Sequence, residues 1–570
     1  MEREIPKING SALLYELTKL SESAQEAIEG SEDLSKFKKY LHVKRPIQDR
    51  LIGILENTAS KEGSHLILLC GSVGDGKSHL LAYLNENKPE LMSKFSVHND
   101  ATESFDPCKS SLETLSEVLD SFSDELIEDT NDKLILAINM GVLHNFLESN
   151  YVEEKYNKLA SFIIKTNLFD PDSIVENCEN DKFCLISFSD YHLYQLSDHG
   201  PKTDYILSIF NKIVDKNKQN PFYRAYLNDL DNGLESVILT NYRLLQEEKV
   251  YNRVADLVVM AIIKHKIIVS TRAILNFIYD IIVPSDISSD LSSAFNNTKQ
   301  LFPNLLFDSE DRSTLLNVMS KLDPINKRNI YIDNLLIQLN NTNDVSTFFT
   351  DYLSYEYLNN WISTLDQIKG KKELLNKVFI RLSYFLSDGI HDKYSDAIYE
   401  NFINYLYSYN CGHKRQLKDI YDQIKKAIYY WKGNPKANYI YMENSVSKLK
   451  IAQNLDIKAY VHDIKNSDKE ILDRFKTNII VSFKTINTNE SEPIQLEIDY
   501  PLYEKVIKVL NGYRPNKKDN EDAIQFVEFI DKLVESGDVD SELLVHESED
   551  KSFYKLEYDS EFEHFSFKKE

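Results

Sequence analysis

The chain has 570 residues, of which 42% are hydrophobic, so it is too long for one hydrophobic core and can fold into about three or four domains. Its net charge of −24 repels a nucleic-acid backbone and restricts direct DNA contact to a local basic patch or to a partner. The 5 cysteines lack zinc-ligand spacing, and neither a signal peptide nor a membrane span is visible. We therefore predict a cytoplasmic protein with reduced thiols and no membrane contact.

The first 60 residues show a helical pattern that leads to a buried strand. Pro46 stands at the head of a stretch in which Leu51 and Leu55 recur at helical spacing. Asp49 is the only acidic residue between positions 36 and 50, whereas the basic residues there are Lys36, Lys38, Lys39, Lys44, Arg45 and Arg50. Two interpretations stay open, a solvated helical face and a contact with phosphate or a partner.

The most specific motif lies between residues 66 and 84. The apolar run Leu66–Cys70 predicts a buried parallel strand, and leucines recur at helical spacing from Leu80. Between them stands the pattern GxxxxGK[ST], which consists of Gly71, Ser72, Val73, Gly74, Asp75, Gly76, Lys77 and Ser78. Strand, glycine loop and helix in this order are the context of a phosphate-binding P-loop.

The residue types of this motif predict its chemistry. Glycines allow backbone N–H groups to close around phosphate oxygens, and the N-terminus of the following helix adds the positive end of its dipole. We predict that Lys77 reaches the β- and γ-phosphates of ATP, that Ser78 ligates Mg²⁺, and that His79 belongs to the same nucleotide-binding set. A purely structural glycine turn is the alternative.

Further strand candidates follow the loop at Phe95–Asn99, Leu134–Asn139, Phe183–Phe188 and Ser236–Thr240. Because helical segments separate them, we predict a parallel α/β sheet of five strands. The expected fold is an α/β P-loop NTPase core with a helical lid, a long all-α middle region and a small α+β C-terminal domain. The expected boundaries are an N-terminal helical segment 1–60, an ATPase core 61–245, a lid 246–290, an α-helical domain 291–470 and a C-terminal α+β domain 471–570.

The residues that end these strands are candidates for catalysis. Hydrolysing P-loop enzymes usually end one strand in an acidic residue that holds the Mg²⁺ shell. The third strand ends instead in Asn139, whose amide has no negative charge and cannot act as a base. Asp190, after the fourth strand, is one alternative acid. The other is Asp100 after the second strand, with Asn139 then sensing the γ-phosphate. A third interpretation makes all three of them turn formers.

The predicted lid contains a candidate arginine. Tyr251–His265 has the pattern of an amphipathic helix, and a second helix begins at Ser270 or Thr271 and ends before Pro284. Arg272 stands at its start, where AAA-type ATPases bring a guanidinium onto the nucleotide phosphates. A surface or capping arginine is the alternative.

The pattern from about 290 to 460 is helical throughout, and no repeat of fixed period is visible. Its segment 411–441 interleaves aromatic residues with the basic residues Lys414, Arg415, Lys418, Lys425, Lys426, Lys432 and Lys436. This composition suits nucleic acid, although an amphipathic helix with buried aromatics and solvated lysines explains it equally. The sequence Glu549-Asp550-Lys551 has the ExK spacing of some nucleases, but no suitably placed partner Asp accompanies it, so we predict no nuclease.

Five short sequences occur in order within residues 40–280, namely Tyr40–Val43, Leu69–Leu80, Asn99–Ser104, Ala137–Gly141 and Thr271–Ala273. They resemble the F-component family of bacterial DNA phosphorothioation-dependent restriction systems, DptF. The specific parts are Ser-Val-Gly-Asp within the glycine loop and Asn-Asp-Ala-Thr-Glu-Ser after the second strand, because the rest of the loop is common to many ATPases.

The resemblance implies an ATP-binding subunit, expected to hydrolyse ATP, that works with G and H components. Together such components act on DNA that lacks a sulfur mark. In marked DNA, a sulfur atom replaces a non-bridging phosphate oxygen. It also implies that DNA damage and translocation reside partly in the H partner. Two rivals stay open: a non-hydrolysing nucleotide-binding scaffold of the same complex, motivated by Asn139, and an unrelated signalling ATPase of the AAA or STAND type.

Overall fold

A computed structural model describes most of the chain. Its described residues are 6–21, 36–72, 74–99, 111–169, 174, 178–286, 294–353, 355–363, 365–442, 448–461, 470–485, 492–537, 543–547, 552–559 and 564–569. The predicted site residues Val73 and Asp100 lie outside them, as do Glu549 and its two neighbours. The chain divides into unit 1, which contains Met1–Gln195 and Lys202–Ser395, and unit 2, which contains Leu196–Pro201 and Asp396–Glu570.

Unit 1 is mostly helical. Within the described residues its α-helices are α1 (Ala12–Thr18), α2 (Lys36–Leu41), α3 (Pro46–Ala59), α4 (Lys77–Asn87), α5 (Pro89–Met92), α6 (Ser111–Val118), α7 (Met140–Leu147), α8 (Asn150–Lys155), α9 (Asn157–Lys165), α10 (Asp204–Val214), α11 (Pro221–Asp231), α12 (Val237–Leu245), α13 (Glu248–His265), α14 (Thr271–Ile282), α15 (Ala294–Lys299), α16 (Phe302–Phe307), α17 (Thr314–Lys321), α18 (Ile330–Asn341), α19 (Val345–Tyr352), α20 (Asn359–Ile362), α21 (Lys372–Leu386) and α22 (Asp388–His391).

The sheet of unit 1 has four strands, all of them parallel. They are β1 (His65–Gly71), β2 (Ser96–Asn99), β3 (Lys133–Asn139) and β4 (Phe183–Ser187), in the spatial order β2-β3-β1-β4. Every residue of β1 is buried, as expected for a parallel strand that is covered on both faces. The predicted buried strand before the glycine loop is therefore confirmed, and so are the next three.

The two faces of the sheet pack against different helices. Leu66 and Leu68 belong to a cluster that includes residues of α6, α7 and α9. Ile67 and Leu69 belong to another cluster, which includes Leu51 of α3 and Leu80 and Leu84 of α4. Because side chains alternate between the faces of a strand, one apolar run supplies both cores. The result is a parallel sheet flanked by helices.

The fifth predicted strand, Ser236–Thr240, is wrong because this segment begins helix α12. The Ser236 hydroxyl accepts a hydrogen bond from the backbone N–H of Leu239, which is the contact of a helix N-cap. Buried residues then continue to Leu245. A short buried apolar run does not distinguish a strand from a helix by its periodicity.

The helices predicted around residues 251–282 are confirmed as α13 and α14. The Ser270 hydroxyl accepts from the N–H of Ala273 at 3.2 Å, so Ser270 rather than Thr271 is the N-cap of α14. The helix ends at Ile282, two residues before Pro284. The residue before a proline is biased away from helical geometry, which explains this end.

Unit 2 combines helices with antiparallel sheets. Its described helices are α23 (Ala397–Cys411), α24 (Lys418–Lys432), α25 (Tyr500–Leu510), α26 (Lys517–Asp522) and α27 (Ile524–Glu535). Its strands are β5 (Gln195–Ser197) and β6 (Gly200–Lys202), each with one residue assigned to unit 1, and β7 (Tyr439–Tyr441), β8 (Leu449–Asn454), β9 (Ile457–Tyr460), β10 (Ile471–Leu472), β11 (Ile479–Thr485), β12 (Ile494–Ile498), β13 (Leu543–Glu547), β14 (Ser552–Asp559) and β15 (His564–Lys569).

The larger sheets of unit 2 have the orders β12-β11-β9 and β15-β14-β13-β8-β7. The C-terminal region combines helices and strands, as predicted, and its sheets are antiparallel. The helical pattern predicted through residue 460 is wrong beyond Lys432. The residues of β7, β8 and β9 form strands there because they pair with each other and with strands from the last hundred or so residues, such as β11 and β13. Because these partner strands lie far away in the sequence, the residues of β7, β8 and β9 show no local pattern that predicts a strand.

Within the described part of the chain, none of the helices has the length and apolar character needed to cross a membrane. The four cysteines in that part, Cys70, Cys178, Cys184 and Cys411, are free thiols. Burial raises the pKa of the Cys70 thiol to about 12, so this thiol stays protonated at neutral pH.

Candidate functional site

The segment Gly71–Ser78 connects the carboxyl end of β1 to helix α4. In the register of the sheet, Gly71 lies opposite Asn139 of β3, and Cys70 lies opposite Ser187 of β4. Since all four strands are parallel, their carboxyl ends meet at one edge, where ligands of open α/β sheets usually bind. The loop therefore begins between two neighbouring strands at this edge.

Two glycines of the loop have backbone conformations that L side chains rarely adopt. Gly74 has φ of +84° and Gly76 has φ of +94°. Gly76 is also the N-cap residue of α4, so the loop passes directly into the first helical turn. The first N–H groups of a helix have no partners within that helix and can bind an anion.

The charged side chains of the loop bond to its own backbone. The Lys77 amine donates to the carbonyl oxygens of Gly71 at 2.9 Å and Ser72 at 2.7 Å. The carboxylate of Asp75 accepts from the N–H of Ser72 at 2.6 Å, and burial raises the pKa of this carboxyl group. The Lys77 amine is thus held over the loop by two carbonyl oxygens of the loop itself.

The end of β2 reaches the start of α4. The Ser78 hydroxyl donates to the side-chain oxygen of Asn99 at 2.9 Å, although β3 separates β2 from β1 in the sheet. Hydroxyl and amide oxygens are both ligands for a hard cation such as Mg²⁺. Asn99 was not predicted as a site residue, although it ends a predicted strand and begins the Asn99–Ser104 stretch that carries the family resemblance.

Asn139 and Asp190 lie on opposite sides of β1. Asn139 ends β3 and caps α7, because its side-chain oxygen accepts from the N–H of Gly141 at 2.9 Å. Asp190 lies in the turn after β4, where the N–H of Tyr191 bonds to the carbonyl of Phe188. Asn139 therefore has the structural role of a helix N-cap.

The start of helix α14 lies on the loop. A Cβ built on Gly74 would lie 3.0 Å from Ser270 Oγ and 3.8 Å from Arg272 Cβ. The start of α14 thus places Arg272 Cβ near the loop, and Arg272 is exposed. Contact of its guanidinium with nucleotide phosphates stays a prediction. A guanidinium at this position has the length and freedom to approach an anion bound by the loop.

Arg45 connects three separate segments around the loop. Its guanidinium donates to the carbonyl of Asp75 in the loop at 3.2 Å and to the carbonyl of Tyr191 after β4 at 2.7 Å. The carbon of the guanidinium lies 5.6 Å from the ring centre of Phe188 and 5.2 Å from that of Tyr205 on α10. The sequence placed Arg45 only in a basic cluster.

His79 pairs with another histidine rather than pointing into solvent. Its Nε2 lies 3.0 Å from Nδ1 of His42, and the His42 ring stacks on Tyr83 at 3.6 Å between ring centres. Burial, with smaller contributions from His42 and Lys38, lowers the pKa of His79 to about 4, so it is neutral at pH 7. His79 follows Ser78 directly in α4, so the histidine pair lies beside the predicted Mg²⁺ ligand in the chain.

Three of the six basic residues at positions 36–50 form ion pairs with acidic residues. Lys39 bonds to Glu86, Lys44 to Asp49 and Arg50 to Glu179, all at the surface. These contacts favour the solvated-face interpretation for the paired residues. Arg45 is the member of the cluster that contacts the loop.

The aromatic residues of segment 411–441 mostly form core contacts. Tyr421, Tyr429 and Trp431 of α24 are buried, whereas Tyr430 is 43% exposed. Lys425 donates to the carbonyl of Ile457 at 2.6 Å, and Lys432 contacts Asp531. These contacts are those expected for an amphipathic helix with buried aromatics.

The described residues contain no group of three or more His, Cys, Asp or Glu side chains that could hold a metal ion by themselves. Comparison with protein-family models, with curated proteins and with solved structures finds no match to this chain.

Proposed function

We propose that the chain binds ATP with Mg²⁺ at the loop Gly71–Ser78. The observation that carries the proposal is the arrangement of this loop, which has two left-handed glycines and joins the carboxyl end of a buried parallel strand to a helix that begins with Lys77 and Ser78. A glycine loop, a helix N-terminus and a lysine next to one another in the chain are the groups that favour phosphate binding.

The contacts within the loop suggest what each residue does when ATP binds. With ATP bound, the Lys77 amine would bond to the β- and γ-phosphate oxygens in place of the carbonyls of Gly71 and Ser72. The Ser78 hydroxyl, which donates to Asn99 in this structure, would hold Mg²⁺ through its oxygen. Because the lysine is already held by polar partners, its desolvation adds little cost to binding.

We further propose that the chain hydrolyses ATP, with the metal-side acid supplied by the end of β2. The Ser78–Asn99 contact supports this assignment, because it brings the residue before Asp100 to the predicted Mg²⁺ ligand. Asn139 would then sense the γ-phosphate, Arg272 would neutralise its charge, and Asp190 is the alternative acid. A non-hydrolysing scaffold is the second candidate, because Asn139 is neutral and occupied as a helix cap.

The biological role that we propose is that of an ATP-binding subunit in restriction of DNA lacking the phosphorothioate mark, together with G and H components. This role depends on the resemblance to the DptF family. The net charge of −24 and the buried aromatics of α24 favour DNA contact through those partners rather than through this chain.

Calorimetry with MgATP tests the binding proposal. Titration of the unmodified chain with MgATP should give a heat of binding, and the Lys77→Ala substitution should abolish this heat. Lys44→Ala is the matched control, because Lys44 is 62% exposed and pairs with Asp49 at the surface. No heat with the unmodified, folded chain contradicts the proposal, and so does normal binding by Lys77→Ala.

Phosphate release distinguishes an ATPase from a scaffold. The chain should be assayed alone and with the G and H components, with unmarked and with phosphorothioate-marked DNA. Release that Lys77→Ala abolishes supports hydrolysis. Binding without release in every combination supports the scaffold, and full restriction in cells by Lys77→Ala would contradict the restriction role.

A further inference from the structure

We propose that Arg45 is a positioning residue that couples the conformation of the Gly71–Ser78 loop to the start of helix α14. The proposal rests on the proposed nucleotide binding and adds a route by which occupancy of the loop is transmitted. The route runs from the carbonyl of Asp75 through Arg45 and the ring of Tyr205 to the hydroxyl of Thr271.

Each step of this route is a direct contact. Arg45 donates to the carbonyl of Asp75 at 3.2 Å, and its guanidinium lies over the ring of Tyr205 at 5.2 Å. The hydroxyl groups of Tyr205 and Thr271 are 2.9 Å apart. Thr271 is the first residue of α14, and Arg272 follows it.

Arginine suits this position because of its shape. Its planar guanidinium carries five N–H donors and can bond to carbonyls of two separate segments while its faces contact aromatic rings. Here the carbonyls belong to Asp75 and Tyr191, and the rings belong to Phe188 and Tyr205. Lysine keeps the charge but lacks the planar fork, so it cannot reproduce these contacts.

The loop also lies against the start of α14, which gives the coupling between them a direct physical basis. Ser270, the N-cap of α14, lies against Gly74, and Asp75 is the next residue of the loop. When phosphate draws the Lys77 amine away from the carbonyls of the loop, the peptide groups around Asp75 adjust. Arg45 converts that adjustment into a change at the start of α14, which carries Arg272.

Hydrogen exchange with and without MgATP tests the proposal on the full-length chain. In the unmodified protein, MgATP should increase protection of residues 270–276 at the start of α14. Arg45→Gln and Arg45→Lys should lose at least about half of that increase and should bind MgATP about tenfold more weakly, because charged hydrogen bonds to the loop are missing. Tyr205→Phe removes only the bond to Thr271, so it should keep the affinity and still reduce the increase in protection.

Arg50→Gln is the matched control, because Arg50 lies in the adjacent helix α3 and pairs with Glu179 at the surface. It should behave as the unmodified protein. If Arg45 only stabilises the fold, its substitution should lower the melting temperature without changing the increase in protection that MgATP causes. That result overturns the proposal. A normal response of Tyr205→Phe overturns it as well, even if the Arg45 variants do not fold.

The two proposals fail in different ways. If the unmodified chain gives no heat with MgATP, nucleotide binding fails and the coupling fails with it. If the unmodified chain binds and protects α14, and the Arg45 variants do the same, nucleotide binding stands and only the role of Arg45 is refuted.

Discussion

Substitution of Gly74 by alanine tests whether the start of α14 lies on the glycine loop. Gly74 has φ of +84°, where a residue with a side chain costs about 1–2 kcal/mol. The added Cβ would lie 3.0 Å from Ser270 Oγ and 3.4 Å from Ser270 Cβ. Because optimal contacts are about 3.5–4.0 Å, Ser270 must shift, and overpacking of this kind adds about 1 kcal/mol or more. Gly74→Ala should therefore destabilise unit 1 by about 2–3 kcal/mol.

Gly76→Ala provides the matched control. Gly76 has φ of +94°, but a Cβ built there meets no atom within 4 Å. This variant therefore carries the backbone cost of about 1–2 kcal/mol without the contact. Combining Gly74→Ala with Ser270→Gly should recover about 1 kcal/mol, because glycine removes the clashing atoms and is nearly as good an N-cap as serine.

Urea-induced unfolding followed by circular dichroism measures these differences. The transition of unit 1 should move furthest for Gly74→Ala, less for Gly76→Ala, and back toward the control when Ser270→Gly is added. Equal losses for the two alanine variants, with no recovery in the double variant, would show that α14 does not lie on the loop in solution.

Other predictions concern stability and pH. Arg381 is 1% exposed and bonds to Asp308 and Asp323, so Arg381→Met should lower the free energy of unfolding by about 3–5 kcal/mol in urea titrations, because it leaves the buried Asp323 carboxylate unpaired. Asp229 accepts from the hydroxyl of Ser11 and from two backbone N–H groups of α1, so Asp229→Ala should cost about 2–4 kcal/mol and expose the N-terminal segment to limited proteolysis. Burial lowers the pKa of the folded protein's His79 to about 4. As pH falls below about 6.5, the unfolded chain therefore protonates this histidine while the folded chain does not. The free energy of unfolding should decrease by up to about 3 kcal/mol between pH 6.5 and 4. Thermal unfolding of His79→Gln across this window should show a weaker pH dependence, and an unchanged one contradicts the assignment.

The loop and the strand before it could be predicted because their signals are local. A run of apolar residues, glycines at the positions that need left-handed backbone, and leucines at helical spacing all lie within about twenty residues of sequence. The N-cap of α14 was predictable for the same reason, since Ser270 bonds to an N–H three residues further on. Ser236–Thr240 was predicted wrongly because a buried helix and a buried strand share the same apolar composition.

The tertiary structure decided which distant residues surround the loop. The order β2-β3-β1-β4 differs from the order in the chain, so Asn99 meets Ser78 across another strand, and Arg45 meets Tyr191 although 146 positions separate them. No local pattern encodes such contacts, because they depend on how helices and strands pack rather than on any one of them. The sequence by itself thus determined the glycine loop and the strand and helix at its ends, and the packing of unit 1 determined that Asn99, Arg45 and the start of α14 lie around it.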